Sequence, residues 1–227
     1  MITEANYRIV GTSHISPESK QKIKQTFAEF KPTIIAIELD KQRFHAITSK
    51  NTQRLGIGAI RQIGLTGYLF AVIGRALQKK LGNLVGMNPG EEMLLGATLA
   101  KNNNLKLALI DQEASITLRN MSKKVKFSEK MKIVLDVLLS PFSKQKIKID
   151  ISKVPAQELV DQLLEQMKHR YKGLYKVLLD DRNKYMARRI YEAIKQDPNT
   201  KILAIVGAGH TEGIKKYLNN LIASNVY

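Results

Sequence analysis

The sequence predicts an α/β domain: a mostly parallel central sheet flanked by helices. Three observations carry the prediction. Short apolar, β-branched runs alternate with longer stretches that repeat every three to four residues. Two of those runs, at opposite ends of the 227 residues, finish alike: Ile9-Val10-Gly11-Thr12-Ser13-His14 and Ile205-Val206-Gly207-Ala208-Gly209-His210. A third run, Thr33 to Leu39, is β-branched and apolar up to Glu38, in the style of a strand covered on both faces.

Taken in order, Ile9 and Val10 sit in a short buried strand. Ser16-Pro17-Glu18 then reads as a helix start, with Ser16 as N-cap and Pro17 at the first helical position. Ile23, Phe27 and Phe30 keep helical spacing until Pro32 stops it. Strand, helix, strand implies a parallel pair with a right-handed crossover. Residues 54–88 read as a helical insertion outside the sheet, with five glycines between Gly56 and Gly74 and an apolar stretch from Tyr68 to Ile73. The insertion is a candidate for a dimer contact, a lid or a membrane-surface element. Asn88-Pro89-Gly90-Glu91-Glu92 opens another helix, which three asparagines end at 102–104. Leu105 to Asp111 is a third strand ending in an acid. Residues 123–172 are basic and helical, with breaks near Pro141 and Pro155. One long helix runs from about Leu174 to Gln196, Asp197-Pro198-Asn199 is a turn, and the last strand ends at His210, after which a helix closes the chain. No domain boundary shows, so residues 1–227 read as a single domain.

Apolar content of 44% and charged content of 25% are ordinary for a globular chain. The net charge of +17 is not, and it points to an acidic partner such as an anionic membrane surface. Nucleic acid is not expected, because aromatic residues make up only 6% and do not interleave with a basic cluster. With no cysteine, disulfides and thiolate metal sites are excluded. The N-terminus lacks the basic and apolar regions of a signal peptide, and no stretch is apolar for long enough to span a bilayer.

In a parallel sheet the C-terminal ends of the strands share one edge, where ligands bind. His14, Glu38, Asp111 and His210 each lie at or just after such an end. Gly11 and Gly207 are expected to permit a sharp exit from the strand and leave room beside each imidazole. Two neutral imidazoles and a carboxylate suit a divalent ion such as manganese, cobalt or zinc, with His14, His210 and Glu38 as ligands and a bound water made nucleophilic. Without metal, one histidine acts as general base and Glu38 orients it. Arg182 is the candidate to stabilise a developing oxyanion. Glu38 alternatively forms a structural ion pair with Arg43 or Arg182, and Asp111 alternatively caps the segment after it. Asp180 and Asp181 cannot share a helix face. His45 and His169 read as surface residues.

Together these residues resemble the TraB/PrgY family, within the grouping that includes TIKI, erythromycin esterase-like, GumN and ChaN-like proteins. The resemblance rests on Gly11-Thr12-Ser13-His14, Ile37-Glu38-Leu39-Asp40 with Arg43, Gly90-Glu91-Glu92-Met93, Leu109-Ile110-Asp111 with Arg119, Asp181-Arg182-Asn183, and Val206-Gly207-Ala208-Gly209-His210. It implies an erythromycin esterase-like sheet and a site built from both histidines, Glu38 and Arg182. Asn183 would position substrate, with Gly11, Asp40, Arg43, Glu92, Asp111, Arg119, Asp181 and Gly207 around them. Some relatives are metal-dependent proteases and others esterase-like hydrolases. ChaN-like members bind haem, which is not expected here. PrgY-type members are associated with shutdown of a peptide pheromone. Gln112 stands where the family usually has arginine, and Asp181 where it often has glutamate. Many relatives carry C-terminal membrane helices, so a place in the cytoplasm or peripheral to a membrane is expected. Three functional expectations follow: a metal-dependent peptide hydrolase, a non-enzymatic peptide-sequestering protein, and a metal-free hydrolase with histidine as base.

Overall fold

In the computed structural model the described residues are 2–12, 17–49, 90–139 and 156–224, with 58, 60, 61, 63, 64, 67, 68, 71 and 72. Most of the expected insertion at 54–88 therefore lies outside them, as does the break at 140–155. The few described residues between 60 and 72 are helical.

Among the described residues four strands form one parallel sheet: β1 (Tyr7–Thr12), β2 (Ile34–Ile37), β3 (Lys106–Leu109) and β4 (Ile202–Gly207), in the order β1-β4-β2-β3. The last strand is thus central. It pairs on one side with β1, from Tyr7 opposite Ile202 to Thr12 opposite Gly207, and on the other with β2, from Ile34 opposite Ile202 to Ile37 opposite Ile205. Every residue of β4 and β2 is buried, which explains their unbroken apolar sequence.

Helix α1 (Pro17–Phe30) follows β1 and begins on the expected proline, while Ser16 lies outside the described residues. It ends where Lys31 takes a left-handed φ of 49° ahead of Pro32. After β2 the chain forms α2 (Lys41–Thr48), a helix that the periodicity does not announce. Asp40 starts it: its side chain accepts from the Arg43 N–H, satisfying one of the first-turn donors. Helix α3 (Glu91–Asn102) stops as expected at the asparagines, with Asn104 in the left-handed region at φ 52°. Then come α4 (Ala114–Lys124), α5 (Phe127–Leu139) and α6 (Ala156–Arg170). The expected long helix is present from Lys172 to Gln196, as α7 (Lys172–Tyr175), a π-helical turn over Lys176–Asp180 and α8 (Asp181–Gln196), with helical backbone at each junction. The final strand ends at Gly207 rather than His210. A 3-10 turn over Ala208–His210 leads into α9 (Thr211–Ala223).

Helices cover both faces of the sheet. On one, Met186, Ile190 and Ile194 of α8 and Ile214 and Leu218 of α9 pack on Ile34, Ala36, Ile202, Ala204 and Val206. On the other, Ile23 of α1 and Met93 and Ala100 of α3 meet Val10, Ile35, Ile37, Leu203 and Ile205. Gly96 sets how closely α3 sits: a Cβ there would fall 2.6 Å from Cδ1 of Ile205 and 3.1 Å from Cγ2 of Ile37. Among the described residues no helix is long and apolar enough to cross a membrane.

Candidate functional site

The chain turns out of β2 at Glu38, out of β3 towards Asp111 and out of β4 at Gly207, all at one edge of the sheet. The β4-to-α9 turn brings His210 to that edge, and the start of α8 supplies Arg182 and Asn183. These groups form one connected network. The Glu38 carboxylate accepts from the Gly207 N–H at 2.6 Å through Oε2, and from Nη2 of Arg182 through Oε1. Nε2 of His210 lies 3.2 Å from the same Oε1. Arg182 also donates from Nε and Nη2 to the two oxygens of Asp111, at 3.0 and 2.6 Å, a bidentate fork. On its far side Asp111 accepts from Arg43, whose Nε donates to Asp40 at 2.6 Å.

The network is buried. Side-chain exposure is 0% for Asp111, 11% for Glu38, 15% for Arg182 and 8% for His210. An unpaired charge there would carry a large desolvation cost, so each carboxylate needs its cation. Burial alone would push the Glu38 carboxyl up. The charge and hydrogen bond of His210, the charge of Arg182 and the Gly207 N–H overcome it and hold the group well below the usual carboxylate range. Burial likewise opposes the charge of Arg182, and Glu38 and Asp111 more than restore it.

The second histidine nitrogen is committed too. Nδ1 of His210 lies 2.6 Å from Oδ1 of Asn183, so the Nδ1–H donates to the amide oxygen. The Asn183 amide fits only because residue 213 is glycine: a Cβ there would fall 2.0 Å from Nδ2 and 2.7 Å from Cγ of Asn183. Sequence reasoning assigned Asn183 to substrate and did not single out Gly213. The signal was available in the spacing, since Gly213 lies one helical turn beyond His210.

The remaining expected residues fall in several places. His14 lies outside the described residues, so its expected meeting with His210 does too. Glu38 pairs with Arg182, one of the two ion pairs expected for it, whereas Arg43 turns to Asp40 and Asp111. Glu92 is fully buried in the first turn of α3. Arg119 is exposed on α4. Gln112 is buried and donates to Thr117 Oγ1 at 2.7 Å. Asp181 meets Lys124 and Lys176, and Asp180 meets Lys184 and Tyr217, so neither joins Glu38. His45 and His169 are exposed on α2 and α6, as surface residues should be. Gly207 has φ −61°, a conformation open to any residue, so a sharp exit is not its reason for being glycine; what it gives the site is its N–H. Gly11 is needed for space: a Cβ there would fall 2.5 Å from Thr211 Oγ1 and 3.2 Å from Cα of Ala208.

Among the described residues no group of three His, Asp or Glu side chains could hold a metal ion. The donor chemistry agrees. Both nitrogens of His210 and both oxygens of Glu38 already face protein partners, and a guanidinium occupies the place between Glu38 and Asp111. As arranged, these residues do not fit a divalent ion.

Comparison with known proteins places this arrangement in context. A family model described as the TraB/PrgY/gumN family matches residues 3–226. An uncharacterized protein of Methanocaldococcus jannaschii is 29% identical over 226 residues, covering 99% of this chain and 56% of that protein. A TraB domain-containing protein of Homo sapiens is 24% identical over 234 residues, covering 92% of this chain and 61% of that protein. The chain thus spans less than two thirds of the length of either relative. Among solved structures, an erythromycin esterase mutant in its open conformation aligns with a TM-score of 0.35 and 14% identity, over 89% of this chain and 60% of that one.

Proposed function

The chain belongs to the TraB/PrgY/gumN family, and from that premise we propose that it is a hydrolase whose acid–base work is done by His210 with Glu38. The observation that carries the reading is the position of His210, with Nδ1 against the Asn183 oxygen and Nε2 against the Glu38 carboxylate. With one proton held on Nδ1, the imidazole acts as base once a water stands between Nε2 and the Glu38 carboxylate in place of their direct contact. A water at that nitrogen loses its proton to Nε2 as its oxygen bonds to a substrate carbonyl carbon. Glu38 then faces the imidazolium, which its charge stabilises. As the tetrahedral intermediate collapses, Nε2 returns the proton to the leaving nitrogen or oxygen, giving a carboxylic acid and an amine or alcohol. Arg182 has five N–H groups, and Asp111, Glu38 and the Leu178 carbonyl take four. The fifth, on Nη1, is the donor for the developing oxyanion. Peptide is the substrate class implied by the motif resemblance, a peptide pheromone included.

The test is turnover of a peptide library and of activated esters, with chelator and with added manganese, cobalt or zinc. Cleavage that survives chelator and disappears in His210→Ala and Glu38→Gln supports the proposal. Cleavage that needs added metal supports the alternative centre through His14 and overturns the metal-free one. Peptide binding without turnover, unchanged in His210→Ala, makes the chain a sequestering protein.

A further inference from the structure

Helix α5 presents three apolar residues outward. Phe127, Met131 and Leu135 are 76%, 43% and 50% exposed, and their spacing of four places them in one row along the helix. On the opposite side, Ile133 is buried.

Charge is sorted around the same helix. Both its acids are bonded to other parts of the domain. Glu129 accepts from the Gly173 and Leu174 N–H groups at 3.0 and 2.8 Å, and Asp136 accepts from Arg170 at 2.6 Å and from the Tyr171 hydroxyl. The lysines are not sorted that way. Lys126 and Lys132 are exposed on either side of the first turn, Lys123 is exposed just before it, and Lys130 borders the row while reaching back to the Ser122 carbonyl. The helix therefore shows solvent an apolar row bordered by lysines along its first half, with both its acids paired.

We infer that α5 is an interfacial helix that lays Phe127, Met131 and Leu135 into the surface of an anionic membrane. The pattern of a cationic border around a narrow apolar row is that of helices that lie in the headgroup plane. The net charge of +17 supplies the long-range attraction. A protein groove would take the same row, but it would have to be acidic at its rim beside Phe127 and Met131. A lipid surface offers that charge at every point. This surface is separate from the Glu38–His210 site, and the inference stands whether or not that site is catalytic.

The chain has no tryptophan, so Phe127→Trp gives a single reporter. With vesicles of phosphatidylglycerol and phosphatidylcholine, its emission should shift to the blue, and the protein should co-sediment. With phosphatidylcholine alone, neither should occur. The triple variant F127S/M131S/L135S should keep the circular dichroism and melting of the parent and bind anionic vesicles roughly tenfold or more weakly. K126E/K132E should weaken binding, and added salt should weaken it in the parent. Parent-like binding by the triple variant would mean adsorption through the lysine-rich surface at large and overturn the inference, as would an unshifted reporter. So would a parent dimer that the triple variant dissolves and that ignores vesicles, since a second copy would then be the occupant.

Discussion

Nδ1 of His210 and Oδ1 of Asn183 stand 2.6 Å apart, and an amide oxygen at that distance requires a proton on Nδ1. Asn183→Ala removes the restraint. The ring can then place its proton on Nε2, against Glu38, where it cannot accept one from water. We expect turnover to fall roughly 10²- to 10⁴-fold, with little change in KM. Nitrogen chemical shifts of His210 should show the tautomer change even if no substrate is known.

Gly213→Ala separates helix propensity from site geometry. On propensity alone, alanine in α9 should stabilise by up to about 1 kcal/mol. The Cβ, 2.0 Å from Nδ2 of Asn183, reverses the sign. The variant should melt lower and lose activity by displacing Asn183. Combined with Asn183→Ala, the same change should cost nothing or stabilise, a non-additivity that a thermal double-mutant cycle reads directly.

Arg182→Met should destabilise by about 3–5 kcal/mol, measured by urea unfolding, because it strands Asp111 and Glu38 in a buried site. Arg182→Lys keeps the charge but not the two-pronged grip on Asp111 and should recover only part of the loss. Adding Asp111→Asn to Arg182→Met should restore some stability by removing the stranded charge.

Low pH should test Glu38. Its pKa in the fold lies below the ordinary 4.5, so the unfolded chain binds the proton first as pH falls. Its contribution to stability is complete above about 4.5 and is lost as pH drops through the folded value. Asp40 is also lowered, despite burial, by its bonds and charge contact with Arg43, and adds a loss of the same sign. Denaturation curves between pH 6 and pH 3 should therefore slope down more steeply for the parent than for Glu38→Gln. Equal slopes would mean that the carboxylate is not held ionised by its neighbours.

Much of the site was legible because one rule gathers it. Glu38, Asp111 and His210 each follow an apolar run, and the shared edge of a parallel sheet does the rest. The strands read well for the same reason, since a run buried on both faces admits few polar residues. What did not read was pairwise. Nothing in a run says that β4 lies between β1 and β2, because strand order is settled by which faces the helices cover. Helix α2 is announced by the Asp40 cap rather than by periodicity. The π-turn at Lys176–Asp180 leaves the helical pattern on both sides intact. Arg43 and Arg182 were interchangeable partners for Glu38 in the sequence, and only the start of α8 brings Arg182 within reach.

The central place of β4 has a consequence for biosynthesis. Strands β1 and β2 emerge first from the ribosome yet never touch as neighbours, because the segment that joins them is made some 170 residues later. Until it arrives, the nascent chain carries two naked strand edges and a polar network that lacks Gly207 and His210, a state prone to sticking to other chains. A message cut short before codon 202 should therefore yield an insoluble product needing chaperone capture, rather than a smaller version of the fold.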